Sequence, residues 1–582
     1  MNRFLLFPLS TFLFSTAALA SLPPATPQEV QPEIATGRSE IKSAVASKYM
    51  AVTANPHASA AAEQMLAKGG SAVDAAIAAQ LMLGLVEPQS SGIGGGAFML
   101  SYRADQKKLY SYDGRETAPM AVDENYFIRD GQPRGFLDAV IGGFSVGVPG
   151  AMRMLALAHQ RDGKLPWKDL FQPAIELADQ GFEVSPRLHQ LLVQMPRVAV
   201  RPAISNYFFG KDGKPLPIGY LLKNPEYAHT LRQLAKEGVR PFYEGEIAEA
   251  IVEAVQNDPQ NPGKMTRKDM ASYRAKMREP VCSGFLTYEV CGAAAPSSGG
   301  TTVGALLGML QHFPLEKSSV GSAELTHLFV EASELAFADR NTYSADPDFV
   351  AVPTQAMVAA DYLAARAKLI NPSKAQPASA GDPAGFADKR QVALSPELPN
   401  TSHLSIIDQY GNGVSMTTSI ETGFGSRLMV KGFVLNNQLT DFSFVPTNAD
   451  KQKVANRIQP GKRPRSSMSP TVVFNKDGSL RLLVGSPGGS RIIDYTARTI
   501  LYHLAKGMPI AEAIHAPNIT AIGYQVEVEP EALSDTELKK LENMGHTVVR
   551  KELNSGIHAI ALMDGKLYGG ADTRREGSAV GL

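Results

Sequence analysis

Residues 396–408 read PELPNTSHLSIID, with a polar Asn400-Thr401-Ser402 step set directly before the alternating apolar positions Leu404 and Ile406. Alternation of this kind marks a half-buried β-strand, so the stretch delivers a hydroxyl pair onto the first residues of a hydrophobic strand. A hydroxyl is a weak nucleophile unless a base lies beside it. One way to supply that base is to cut the chain, so that the residue's own α-amine becomes free. From these residues alone a plain strand entrance is the simpler reading, and the surrounding sequence has to decide.

Downstream, HLSIIDQYGNGVSMTTSI gives two strands around Tyr410-Gly411-Asn412-Gly413, and GFVLNNQL and SPTVVFNKDGSLRLLVGSP continue the β pattern. Helical patterns return around 490–517 and 534–544. Upstream, residues 372–400 are rich in Pro, Ala and Asp without a period, the composition of an exposed linker. Helices dominate 150–275 and 302–370. Ala-rich helical segments on either side of Gly69-Gly70 lead into a hairpin around Asp105-Gln106 within residues 93–113. Strands early and late with helices between and after them imply sheets covered by helices, a layered α/β or α+β domain.

The first twenty residues, MNRFLLFPLSTFLFSTAALA, have the charged, apolar, small-x-small order of a secretory signal cleaved after Ala20. Polar interruptions make them a poor membrane anchor. Residues 21–48 have the composition of a mobile leader. The AIAAQLMLGLV run is short and bounded by Asp74 and Glu87, as a buried helix would be. Formal net charge is zero, with 57 basic and 57 acidic residues, so no electrostatic footprint for nucleic acid or an anionic membrane is present, and small-molecule partners are expected. Export would place the chain in an oxidising compartment, where Cys282 and Cys291 could join across a hairpin around Gly284. Two cysteines alone lack the remaining ligands of a metal site.

Gly143-Phe144-Ser145-Val146-Gly147 matches the G-x-S-x-G nucleophile elbow, but an elbow must enter its helix at once, and here Pro149-Gly150 intervenes. A glycine-rich loop fits better. The eleven histidines show no H-E-x-x-H and no close pairs, and the chain carries no phosphate-binding glycine loop, so neither a metal enzyme nor a nucleotide binder has a motif behind it. No cofactor is implied.

Ten stretches in order, ANPHASAAAEQMLAKGGSAVDAA, SSGIGGGAFML, DGRETAP, GVPGAM, PSSGGTT, FADRNTYSADPDFV, TSHLSIIDQYGN, NNQLTDFS, RPRSSMSPT and GSPGGSRII, resemble the γ-glutamyltranspeptidase family of N-terminal-nucleophile hydrolases. The resemblance covers nearly all of the chain after the leader, and GVPGAM overlaps the elbow-like match. It implies an α+β fold, the four-layer αββα sandwich, made as a precursor that cuts itself at Asn400–Thr401. Residues 49–400 would then form the large subunit and 401–582 the small subunit of one domain in a periplasmic or secreted enzyme with no membrane attachment once the signal is removed.

On that resemblance Thr401 attacks a γ-glutamyl amide and passes the acyl group to water or to an amino-acid or peptide acceptor. Arg115, Ser466 and Ser467 match the binders of the donor's α-carboxylate, a role suited to a guanidinium fork. Asp441, with Gln438 and Glu421 beside it, matches the acceptor of its α-ammonium. Gly488-Gly489 match the oxyanion hole, where a Cβ would hinder backbone N–H groups. Taken singly, Arg115 could be a surface partner of Glu116, and Asp441 a turn carboxylate. Ser419 stands where many relatives carry Thr, and Glu421 where many carry Asn. The stretch from Asp441 to Ser466 looks shorter than in members with a lid loop, which points to a more open pocket. A glutaryl or cephalosporin acylase of the same fold is the near alternative; an unprocessed solute-binding protein and a Ser145 esterase are the others.

Overall fold

The structure is a computed structural model that describes residues 40, 42–195, 199–383, 392, 400–523 and 525–582. The expected signal segment, most of the leader and most of the linker before Asn400 lie outside the described residues.

Two seven-stranded antiparallel sheets form the centre. One runs in the order Lys42–Ala46, Lys566–Ala571, His558–Met563, Leu480–Gly485, Thr471–Phe474, Tyr288–Gly292, Val281–Phe285. The other runs Ser578–Gly581, Met50–Thr53, Asn400–Ile407, Gly413–Glu421, Gly96–Arg103, Lys108–Asp113, Lys276–Arg278. Both sheets therefore mix strands from before and after Asn400.

Because side chains alternate along a strand, each sheet presents one apolar row to helices and another to the facing sheet. In the second sheet Leu404, Ile406, Val414 and Met416 pack into a core shared with helices such as Ala72–Val86, all of whose residues are buried. In the first, Val473, Leu482, Val484 and Ala559 pack with helices including Gly299–Leu310, Ala323–Tyr343 and Ile492–Ile500. Ile407, Val52 and Leu100 meet Val472, Leu483 and Ile560 between the sheets. Helix, sheet, sheet and helix are thus four layers, the αββα sandwich.

The leader expectation needs correcting at its end. Lys42–Ala46 is a strand paired along Lys566–Ala571, because the C-terminal hairpin would otherwise leave an open sheet edge. GFVLNNQL is also mostly not strand: only Phe433–Val434 pairs, with Met429–Val430, and Gln438–Asp441 is a 3₁₀ turn. Cys282 and Cys291 oppose one another in register on the Val281–Phe285 and Tyr288–Gly292 hairpin and are joined. A nine-residue separation closes a short loop, so Cys282→Ser is expected to cost about 2–3 kcal/mol on the loop-entropy scale, measured by urea unfolding, with turnover nearly unchanged because the hairpin lies at the far edge of its sheet.

Candidate active site

Thr401 shares its strand face with His403, Ser405 and Ile407, the face turned toward the other sheet: Ser405 Oγ donates to the His558 carbonyl across the gap at 3.0 Å. Thr401 therefore opens at the end of the inter-sheet layer and is itself buried. The ladder is irregular at this point. Asn400 pairs with Glu421 and Thr401 with Ser419, leaving Ile420 as an extra residue, and Glu421 takes a left-handed φ of 80°. Such a conformation in a non-glycine residue costs on the order of 1–3 kcal/mol and tends to occur where function holds it in place.

Around this bulge a hydroxyl chain forms. Thr401 Oγ1 donates to Ser419 Oγ at 3.1 Å, and Ser419 Oγ donates to the Asn400 carbonyl at 3.0 Å and accepts Glu421 N–H at 2.8 Å. Arg575 Nη1 donates to the Thr401 carbonyl at 3.2 Å and fixes the residue from its C-terminal side.

Thr401 and Ser419 line a cleft with about 250 Å³ of empty space, together with Arg115, Glu421, Gln438, Asp441, Ser466, Ser467 and Gly489. Arg115 is buried, not superficial. It donates to Asp441 Oδ2 at 2.5 Å and to the carbonyls of Pro464 and Arg465, and its Nη1 lies 3.6 Å from Glu116. The two groups expected to hold opposite ends of a zwitterion thus hold one another.

Asn437 Nδ2 donates to Glu421 Oε2 at 2.5 Å. With its amide oriented to satisfy both neighbours, Gln438 donates to Glu116 Oε1 and accepts Glu421 N–H, each at 3.2 Å. Burial pushes the Glu116 carboxyl up to about 8 against the pull of Arg115, which leaves it largely protonated at neutral pH.

On the opposite wall, Ser466 accepts Met468 N–H, and its carbonyl takes both the N–H and the hydroxyl of Ser298. The PSSGGTT and RPRSSMSPT stretches therefore meet in space. Ser467 Oγ accepts from Arg340 Nη2 at 2.5 Å, and Arg340 also donates to Ser298. Gly489 begins the 3₁₀ turn that runs into helix Ile492–Ile500, so backbone N–H groups and a helix N-terminus gather at this edge. Gly488 does not line the cleft itself. Its φ is 138°, and a Cβ there would come within 2.6 Å of the Tyr495 ring.

Four residues here escaped the sequence reading: Glu116, Arg340, Asn437 and Arg575. Arg340 does lie in FADRNTYSADPDFV, where its burial partners are too distant in sequence to be read. Ser145, by contrast, is a structural hydroxyl, buried and donating to the carbonyls of Val140 and Gly142.

Comparison with known proteins places these features in context. A family model described as Gamma-glutamyltranspeptidase matches residues 58–582. The chain is 36% identical over 546 residues to a glutathione hydrolase proenzyme of Bacillus subtilis, covering 92% of this chain and 91% of that one. It is 33% identical to the Acylase ACY 1 proenzyme of Pseudomonas sp. (strain SE83), covering 95% and 96%. A crystal structure of cephalosporin acylase from Bacillus halodurans superposes with a TM-score of 0.80 at 25% identity, over 94% of this chain and 97% of that one.

Proposed function

Since the chain belongs to the γ-glutamyltranspeptidase family and has the N-terminal-nucleophile hydrolase fold, we propose that it is an exported γ-glutamyl hydrolase and transferase that acts on glutathione and related γ-glutamyl compounds after cutting itself at Asn400–Thr401. The observation that carries this reading is the juxtaposition, in one small cleft, of a threonine hydroxyl with a buried Arg115–Asp441 ion pair and Glu421. A γ-glutamyl donor carries a carboxylate and an ammonium on one carbon. Such a head can insert between Arg115 and Asp441 and replace one ion pair with two.

Maturation follows from the hydroxyl chain. Ser419 donates to the Asn400 carbonyl oxygen and so draws electron density from the carbon that Thr401 Oγ1 attacks. The new C–O bond forms, the C–N bond breaks, and the hydroxyl proton passes to the Thr401 nitrogen. Water then cleaves the resulting ester to give an Asn400 carboxylate, a free Thr401 hydroxyl and a free α-amine. In the mature enzyme that amine takes the Thr401 proton as Oγ1 attacks the γ-carbonyl of the donor. Backbone N–H groups of the turn that Gly489 begins receive the oxyanion, the leaving amine departs protonated, and water or an acceptor amine resolves the ester. Ser419→Ala removes three hydrogen bonds, two of which, those with Thr401 Oγ1 and the Asn400 carbonyl, touch the reacting groups at about 1 kcal/mol each, so maturation should slow roughly tenfold to a hundredfold, followed as loss of full-length chain on a denaturing gel.

The acylase reading has a specific support, the similarity to acylase relatives over nearly the whole chain. A glutaryl group has the carboxylate but no ammonium. Inserting its carboxylate at Arg115 would leave Asp441 and Glu421 facing an acyl chain with no cation, which is costly in a buried site. Initial rates on γ-glutamyl and glutaryl anilides separate the two readings: a preference for the γ-glutamyl substrate is expected, and a preference for glutaryl would overturn it. Export is supported by the pattern of the first twenty residues and by the Cys282–Cys291 bond. Recovery of the mature protein from a periplasmic or culture fraction tests it.

A further inference from the structure

His327 and Glu331 stand one turn apart on the same face of helix Ala323–Tyr343, and His546, from the turn after helix Asp535–Asn543, comes to meet them. The three ligand atoms lie within 4.8 Å of one another, and all three residues are buried. The cluster is not legible along the chain, because its third member lies more than two hundred residues from the other two.

We propose that His327, Glu331 and His546 form a zinc site. The donor set, two imidazoles and a carboxylate, is one that Zn²⁺ takes, with water in the fourth position. Zinc–ligand bonds of about 2.0–2.1 Å at tetrahedral angles put neighbouring ligand atoms roughly 3.3 Å apart. His327 Nδ1 and His546 Nε2 are 2.7 Å apart, and His546 Nε2 and Glu331 Oε1 3.9 Å apart. Bringing both to the tetrahedral spacing takes movements of about half an ångström, one outward and one inward.

Supporting groups are also in place. The other ring nitrogen of His327, Nε2, meets the Asn371 carbonyl at 2.7 Å, which fixes the tautomer with the Nδ1 lone pair facing the centre. Gln376 N–H donates to the Glu331 carboxylate. Among the described residues no lysine or arginine lies against Glu331, so its charge has no fixed cationic partner.

On the reading that the chain is cut at Asn400–Thr401, His327 and Glu331 belong to the large subunit and His546 to the small one, so the ion links the two pieces. Asn371 and Gln376 tie the start of the segment leading to the cut to the same centre.

Untagged full-length protein, incubated with Zn²⁺ and desalted, should retain one zinc per chain, and Co²⁺ in its place should give the visible absorption of a four-coordinate centre. The isosteric Glu331→Gln and the less buried His546→Ala should each weaken zinc binding at least tenfold and abolish the cobalt spectrum. No stoichiometric zinc on the wild-type protein, or unchanged retention in either variant, overturns the site. Thr401→Ala, which the cleavage reading makes an uncut chain, should retain zinc equally, so failure of the metal site and failure of the cleavage reading are seen separately.

Discussion

Thr401→Ala is expected to yield one uncut chain with turnover reduced at least about 10⁴-fold. On the proposed reading the same Oγ1 is required twice, first against the Asn400 carbonyl and then against the donor amide. Removing a catalytic nucleophile typically forfeits nearly everything beyond what binding and oxyanion stabilisation supply. The substitution itself is mild for the fold, since Thr401 contributes only its hydrogen bond to Ser419 there, while its carbonyl remains held by Arg575. N-terminal sequencing gives the readout. The wild-type protein should show a second chain beginning TSHLSI, and the variant should show none. A variant processed at the same bond would assign the cut to a separate protease, and a wild-type protein that stays whole would favour the solute-binding alternative.

Asp441→Asn should lower kcat/KM on γ-glutamyl substrates by about 10²- to 10³-fold, the scale on which removing one member of a buried charge pair acts. Its effect on a glutaryl anilide should be much smaller, because that substrate has no ammonium to lose. The ratio of the two rates is therefore the informative quantity, and an equal loss on both would mean that Asp441 merely holds Arg115 in place. Maturation should continue in this variant, since the hydroxyl chain from Thr401 through Ser419 to Asn400 does not pass through Asp441.

Much of the architecture was legible in strands of eight or nine residues with clear alternation, such as NTSHLSII and GVSMTTSIE. The sheet margins were not. KSAVA has mostly small residues and little alternation, and it becomes a strand only because Lys566–Ala571 lies beside it. The hairpin HAIALMDGKLYGGA carried an Asp564-Gly565 turn signature, with both residues at positive φ, but went unread, and with it the edge strand Ser578–Gly581. At the site, residue types at motif positions named nine members of one cleft, while Gly488 stands just outside it. What sequence could not give were the connections. Arg340 reaches Ser467, Arg575 reaches the Thr401 carbonyl, and Arg115 closes on Asp441, each pairing made by folding between distant segments.

Both sheets draw strands from either side of Asn400–Thr401, and Asn400–Ile407 lies between Met50–Thr53 and Gly413–Glu421. Neither side of that bond contains either large sheet whole, so neither side can complete the two central layers alone. The strand that carries Thr401 is held between an upstream strand and the strand that carries Ser419. On the reading that the chain cuts itself at this bond, activation would be conditional on assembly of the sheet that holds Thr401. A cut at this bond would leave two pieces woven through common sheets, a state that simple dissociation could not reach.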